Sequence, residues 1–358
     1  MWDSIMQPGF FDLDNRYDQL SKLKDPLVEL NQIIDWSLFA DLLAETTTKP
    51  RKSAAGRKPF DRVMLFKMLI LQRMNNLSDE RLEYQVRDRL SFMRFLGLGL
   101  SGTVPDAKTM WVFREEIKER HLIEHLFARF DECLRELDVE LKSGQMIDAT
   151  FVTAPKQRNT REENKLIKEG AVPIEWGQNP HKLAQKDTDA RWAKKNNESF
   201  YGYKDHANVD KATKLVTAWE VTTAQVHDSQ VLEEVLQPSE IGGAEVYADS
   251  AYRSKAQEES LVVSKHTSHI HEKGARNHPL TEMQKASNKK KSRVRARVEH
   301  VFGSMTNELG GITIRTIGHE RAKVQIGLLN LVYNIKRVAT LIRKEYFSFD
   351  RIIAPKIT

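Results

Sequence analysis

A single cysteine, Cys133, occurs in the 358 residues. One thiol excludes an intramolecular disulfide and a thiolate zinc cluster, and the default expectation is a reducing, intracellular setting. Cys133 lies among Phe127, Phe130 and Leu134 at apolar-periodic spacing, which makes it core filler. Long apolar runs are also missing. The most apolar stretch, residues 63–71, contains Lys67 and falls far short of the roughly 18–20 residues that cross a bilayer, so no membrane span is expected. The opening Met-Trp-Asp-Ser-Ile-Met-Gln-Pro-Gly-Phe-Phe-Asp lacks a basic segment followed by an apolar one, and a cytoplasmic protein is expected. No internal period of about 20–50 residues is present, which excludes a repeat architecture.

What the chain does have is 40% hydrophobic residues, enough for two domains that each bury a core. Lys and Arg (56) outnumber Asp and Glu (50), for a formal net charge of +6. Such an excess favours a polyanionic partner where it clusters.

Residues 1–140 read as helical. Over residues 26–39, Leu27, Leu30, Ile33, Ile34 and Leu38 recur at helical spacing, with Asp25 as N-cap and Pro26 at the first helical position. A basic, small-residue stretch at 49–58 reads as a linker. Residues 59–75 form an almost all-round apolar helix, which predicts burial. Ser78 caps the next helix, whose first turn carries Asp79 and Glu80 at the positive end of the dipole, and Asp106 caps another through Trp111, Phe113 and Ile117. This pattern suits either a helix-turn-helix DNA reader or a plain helical bundle.

Near Gly144 the period changes. Residues 146–152, 200–209, 214–223 and 244–248 are short runs rich in Val, Tyr, Phe, Thr and Ile, which suit strands. Helices are expected at 227–236, capped by Asp228 or Ser229, and at 254–263, with a short strand at 267–271. The order predicts an α/β layer with a mixed five-stranded sheet and flanking helices, preceded by an all-helical domain. Two polar segments interrupt it: an insertion at about 154–199 and a basic, mobile stretch at 274–292. The last helix, 320–344, carries Val324, Leu328, Leu331, Ile335, Val338 and Ile342, a pattern that favours packing on the sheet over a dimer seam. The domains read as 1–48, a helical segment; 49–140, a helical DNA-end-binding domain; 141–345, a catalytic domain; and 346–358, a tail.

Three acidic residues stand in settings where a carboxylate is costly unless it is paired or binds metal. Asp148 lies in Gln-Met-Ile-Asp-Ala-Thr, Asp249 ends Glu-Val-Tyr-Ala-Asp-Ser, and Glu299 lies in Arg-Val-Arg-Ala-Arg-Val-Glu-His-Val-Phe-Gly. Taken singly they read as a strand-end residue, an N-cap and half of an ion pair with Arg295. Together, with Asp148 and Asp249 on neighbouring strands and Glu299 at the edge of a stripe of Val294, Val298, Val301, Phe302 and Met305, they suggest a divalent-cation site. Carboxylate oxygens suit Mg²⁺ or Mn²⁺, and two such ions about 3.5–4 Å apart stabilise the attacking and leaving oxygens of a phosphodiester.

These residues resemble a DDE transposase with an RNase H-like catalytic domain, of the IS-five family within the IS-four/IS-five group of bacterial insertion sequences. The resemblance is carried by Met-Ile-Asp-Ala-Thr around Asp148, Phe-Tyr-Gly-Tyr-Lys-Asp-His (200–206), Val-Thr-Thr-Ala-Gln-Val-His-Asp-Ser (221–229), Tyr-Ala-Asp-Ser-Ala-Tyr-Arg (247–253) and the segment 293–303 around Glu299. Gly-Arg-Lys-Pro-Phe-Asp (56–61) and the helices after it are similar to that family's N-terminal domain, so the resemblance covers about residues 50–345. It implies cleavage at the ends of a mobile element with two Mg²⁺ ions (Mn²⁺ can substitute) held by Asp148, Asp249 and Glu299. The 3′ hydroxyls are then joined to target DNA. It also implies double-stranded DNA as partner, a homo-oligomer on DNA, no membrane partner, and a cytoplasmic protein that associates with the nucleoid when bound. The related signature Y-x2-R-x3-E-x6-K matches at Arg295 and Glu299, whereas Ser292 and Thr306 stand at its tyrosine and lysine positions. Roles of that tyrosine and lysine therefore do not carry over.

From Lys285 to Arg297 the chain has Lys285, Lys289, Lys290, Lys291, Arg293, Arg295 and Arg297 and no acid. Arg295 is one helical turn before Glu299, so a phosphate held by Arg295 is expected beside the carboxylates. Arg293, Arg297, Lys289, Lys290, Lys291 and, on the second strand, Lys204 are the other candidates for DNA contact. Such contacts give affinity and salt dependence rather than sequence choice. Asp228, His227 and Tyr203 are weaker candidates: a cap, a structural or phosphate-facing group, and a strand-pairing residue account for them as well. The alternatives are an RNase H-like metal-dependent nuclease without strand transfer, and a non-catalytic DNA-binding protein derived from a transposase.

Overall fold

The computed structural model describes residues 9, 11–46, 58–136, 144–157, 159–195, 197–238, 243–275 and 278–346. The expected linker, apart from Lys58, and the tail beyond Tyr346 lie outside the described residues. The chain divides into two compact units, Met1–Glu116 with Ala339–Thr358, and Ile117–Val338.

The first unit is helical: α1 (Asp12–Lys22), α2 (Pro26–Ile33), α3 (Ala40–Ala44), α4 (Arg62–Met74), α5 (Asp79–Asp88), α6 (Leu90–Leu96) and α7 (Ala107–Glu119), whose last residues pass into the second unit. The Asp25 side chain accepts from the Leu27 N–H at 3.0 Å, with Pro26 at the first helical position. The single helix expected over 26–39 is broken, because Asp35 caps a separate 3₁₀ turn, Trp36–Phe39. A short polar side chain competing for backbone N–H groups ends the helix that apolar spacing alone would continue. α4 is buried on most sides, as its composition predicts, with Leu65, Phe66, Met68, Leu69, Ile70 and Leu71 in the core. Asp61 rather than Pro59 starts it, accepting from the N–H groups of Val63 and Met64. α4 and α5 pack together across a short turn in which Asn76 takes a left-handed conformation, φ 49°. The Ser78 cap is present. Arg114 makes two 2.7 Å contacts with Asp79 from α7.

The second unit holds α8 (Leu122–Glu136), then β1 (Gln145–Thr153), α9 (Arg161–Lys168), α10 (Ile174–Gly177), α11 (Pro180–Ala184), β2 (Arg191–Lys195), β3 (Glu198–Asp210), β4 (Val216–Thr223), α12 (Leu232–Val235), β5 (Ala244–Tyr247), α13 (Lys255–Val263), β6 (His266–Ser268), α14 (Glu282–Glu308) and α15 (His319–Arg343), whose last residues group with the first unit. α8 buries Cys133 with Phe127, Phe130 and Leu134, and Phe127 meets Trp219 of β4 edge-on at 6.0 Å.

β1 pairs antiparallel with β3 and parallel with β5, which is parallel to β6. The far edge of β3 is shared by β2 along its first residues and β4 along the rest. Without β2 the order is β4-β3-β1-β5-β6, three antiparallel strands continued by two parallel ones. This is the expected RNase H-like sheet. The sixth strand, β2, corrects the five-stranded expectation. Its sequence Arg-Trp-Ala-Lys-Lys reads as a polar insertion, but β3 extends far enough to pair with it antiparallel, and Asn197, just before β3, has φ 65°.

Two further expectations change. The helix predicted at 227–236 is a 3₁₀ turn, Asp228–Gln230, and the one-turn α12. The basic stretch expected to be mobile up to residue 292 is helical from Glu282, started by a Thr281–Gln284 capping box that composition hid. α15 lies on the sheet: the Asn334 amide bridges the backbone of Val216, and Gly327 lets the helix approach the Trp219 ring where a Cβ would overlap it.

Candidate active site

Strand alternation decides which side chains meet. On β1, Met146, Asp148, Thr150 and Val152 share one face, opposite Val209, Ala207, Asp205 and Tyr203 of β3. Met146 also pairs with Tyr247 of β5. Asp148 lies two residues beyond this pair on β1, and Asp249 lies two residues beyond the end of β5, close enough for its charge to act on Asp148. α14 packs against β1 and β5, burying Val298, Val301 and Met305 and half-burying Val294 and Phe302, as the apolar stripe predicts. Arg295 and Glu299 are thereby brought to the rim where the two aspartates lie. At this place β1 has an antiparallel neighbour, β3, on one side and a parallel one, β5, on the other.

Asp148 is largely withdrawn from water. One carboxylate oxygen accepts from the Ala149 N–H at 2.9 Å, and the other forms a tight ion pair with Arg295 Nη1. Burial raises its pKa above the ordinary carboxylate value; Arg295 opposes that rise, and the charge of Asp249 adds to it. Asp249 caps the short turn after β5, accepting from the Ala251 N–H at 2.6 Å through one oxygen. Glu299 is exposed and lies 3.4 Å from Arg295 Nη2. The capping and ion-pair readings of Asp249 and Glu299 are thus both realised, within one cluster. Tyr252 and His271 complete it: the buried Tyr252 hydroxyl is pushed far up in pKa by burial and by Asp228, Asp148 and Asp249. His271 is lowered by burial and by Arg295, and its ring lies 3.3 Å from Ser292 Oγ. Neither residue stood out in the sequence, although Tyr252 lies in the quoted 247–253 segment.

Among the described residues no three His, Cys, Asp or Glu side chains converge closely enough to hold a metal ion. The donor chemistry nevertheless fits a hard divalent cation, since Asp148 and Asp249 offer carboxylate oxygens. A positive charge already stands against Asp148 and Glu299, that of the Arg295 guanidinium.

The remaining candidates separate into exposed and engaged groups. Lys289, Lys290, Arg293 and Arg297 are exposed on α14 at spacings that keep Lys289, Arg293 and Arg297 in one row. Lys291 is turned inward, donating to the Ile270 carbonyl at 2.9 Å and lying 3.6 Å from Glu272. Lys204 does not line a DNA path: it is buried, bonded to Asp228 at 2.7 Å and to the Val226 carbonyl at 2.6 Å. Asp228 is accordingly an ion-pair partner and not a helix cap; the cap is His227, whose Nδ1 accepts from the Ser229 N–H at 3.3 Å. Tyr203 is fully buried and donates to Asp187 of the insertion. The segment 200–206 is a run of staples. Gly202 has φ 148° where a Cβ would strike the Val152 carbonyl, Lys204 ties Asp228, Asp205 holds Asn330, and the buried His206, lowered in pKa to about 4 chiefly by burial, contacts Thr222.

The sheet order and its flanking helices define an RNase H-like fold, in which Asp148 of β1 meets Arg295 of α14 and Arg295 also meets Glu299. Residues 140–335 match the family model described as Transposase DDE domain, and residues 15–116 match one described as Transposase domain (DUF772). The first match spans more than half of the chain, and the protein belongs to the DDE transposase family. A solved cryo-EM structure of a piggyBac transposase synaptic complex with hairpin DNA aligns with 94% of this chain and 78% of that chain, at 12% identity and a TM-score of 0.49. No helix among the described residues is long and apolar enough to cross a membrane.

Proposed function

We propose that the protein is the transposase of a bacterial insertion sequence of the IS-four/IS-five group, which binds the element's ends, cuts them and joins the 3′ ends to target DNA. The observation that carries this reading is Arg295 of α14 set against both Asp148 and Glu299, with the charge of Asp249 acting on Asp148. Asp148, Asp249 and Glu299 would hold two Mg²⁺ ions, which supply charge stabilisation to the attacking and leaving oxygens of a phosphodiester. The chain's own part is positioning. The Ala149 and Ala251 N–H groups fix one oxygen of each aspartate, so the carboxylates need little reorganisation during reaction. Lys289, Lys290, Arg293 and Arg297 hold the DNA backbone along α14, and Arg295 contacts the phosphate nearest the acids. The helices of residues 49–140 help bind the ends, residues 141–345 carry the chemistry, and two ends are brought together by an oligomer formed on DNA in the cytoplasm.

Asp148→Asn, Asp249→Asn and Glu299→Gln, each assayed on DNA carrying the element's ends, should abolish Mg²⁺-dependent cleavage while leaving end binding largely intact. Cleavage persisting in all three would sink the assignment. Pre-cut ends separate transposase from nuclease: the first joins them to a target plasmid, and the second does not.

A further inference from the structure

In the candidate site one of its own residues, Arg295, stands against two of the three acids that would receive a divalent cation. The Arg295 guanidinium touches Asp148 through Nη1 and lies 3.4 Å from Glu299 through Nη2, so it occupies the acids that would receive the ion. The other oxygen of Asp148 is held in place by the Ala149 N–H, so the oxygen facing Arg295 is the one that a change of partner frees. Arg295 is not fully satisfied there, however, since its buried Nε–H has no acceptor. A guanidinium presents its donors as a planar fork that matches a phosphate, so a phosphate offers Arg295 the acceptor that the carboxylates leave out.

We propose that Arg295 is a displaceable counter-cation, which keeps Asp148 and Glu299 closed to a divalent ion until a DNA phosphate draws its guanidinium away. The proposal rests on the reading of Asp148 and Glu299 as metal-binding acids and adds an order to events at that site. Without DNA, metal and arginine compete for the same oxygens. With DNA, the phosphate takes the arginine, the acids open, and metal and DNA bind with positive coupling, each raising the affinity for the other by the same factor. The closed arrangement has a physical use. A hydrolytic centre that gathers its ions only on DNA does not hold them idle in free protein.

The test is Mn²⁺ binding to the full-length, DNA-free protein, followed by the electron paramagnetic resonance signal of the free ion. Arg295→Gln should bind Mn²⁺ on the order of tenfold more tightly than wild type, a factor usual for coupled sites. The gain should vanish in the Arg295→Gln/Asp148→Asn double variant. An arginine with only a structural role predicts equal or weaker binding on its removal, and that result in a protein with a cooperative melting transition overturns the proposal. Should Arg295→Gln fail to fold, wild type decides the matter. Its Mn²⁺ affinity, corrected for ions held by DNA alone, should rise when a short synthetic duplex of arbitrary sequence is added at low ionic strength, and no rise overturns the idea. The underlying site assignment fails in a different way: Asp148→Asn would then bind Mn²⁺ in the presence of duplex as tightly as wild type.

Discussion

Asp148 on β1 and Asp205 on β3 lie on the same face of one sheet, and both are withdrawn from water, yet they are answered by different partners. Asp205 is fully buried, and both of its oxygens accept from the neutral amide of Asn330 at 3.1 Å. Burial lifts its pKa to about 7, with the amide contact opposing the rise. Asp148 sits at the rim, beside a second aspartate, and is answered by a full positive charge. A buried acid with a neutral partner relieves its desolvation by keeping a proton and becomes part of the core. One with a cationic partner has part of that cost offset by the opposite charge, which suits it to a metal ion or a phosphate-linked switch of partners. Burial alone does not mark a functional carboxylate; the kind of partner does.

The largest expected contrast is in catalysis. Asp148→Asn should reduce end cleavage by on the order of a thousandfold or more, the scale seen when a charge-stabilising group is removed. Asp205→Asn, an equally conservative change one strand away, should leave the cleavage rate within a few-fold. A comparable loss in both variants at matched folded fraction would erase the distinction.

Stability should show the reverse. A carboxyl whose folded pKa is raised to about 7 from 3.8 keeps its proton in the fold while the unfolded chain has lost it. Wild type therefore loses stability from this group as pH rises between those two values, and the loss is complete above about 7. Asp205→Asn removes that loss, and its new amide can face the buried Asn330 Oδ1, which has no partner. Denaturant melts at pH 5 and pH 8 should show a smaller drop for the variant, with a gain of a few kcal/mol at most at the higher pH. An unchanged drop would mean that Asp205 titrates normally. Asn330→Ala takes away the amide that donates to both oxygens of Asp205 and should cost roughly 1–3 kcal/mol at either pH, read from the same melts.

Much of this could be read from the chain, for identifiable reasons. The strands announced themselves through Val, Tyr, Phe and Thr at period two, and the caps at Asp25, Ser78 and Asp106 through side chains that must satisfy helix N–H groups. Elements defined by pairing rather than composition were hidden: β2 exists because β3 is long, and the first turns of α14 because Thr281 and Gln284 cap each other. Asp148, Asp249 and Glu299 were legible as oddly placed acids in one order. Lys204 and Tyr203 were misread because a sequence gives no partner for a charge. Asp228 lies 24 residues after Lys204 and Asp187 lies 16 before Tyr203, and only the folded sheet brings them together.

The same distinction of partners sorts the cations, with the smallest effects. Lys289, Lys290 and Arg293 have no acidic partner within the described residues, and Arg297 is exposed with only a 3.4 Å backbone contact, to Lys211. Lys204 and Lys291 are spent on protein oxygens. Arg293→Gln and Arg297→Gln should each weaken duplex binding a few-fold regardless of sequence, and lower the slope of log affinity against log salt by about 0.9 per lost phosphate contact. Lys204→Met should leave that slope unchanged and show its cost in the melting transition, because removing it strands Asp228 half-buried without its cation. Salt titrations of the three variants separate the two groups. A slope that falls with Lys204→Met but not with Arg293→Gln would mean that the DNA follows β3 rather than α14, and that the exposed row on α14 is a solvated face.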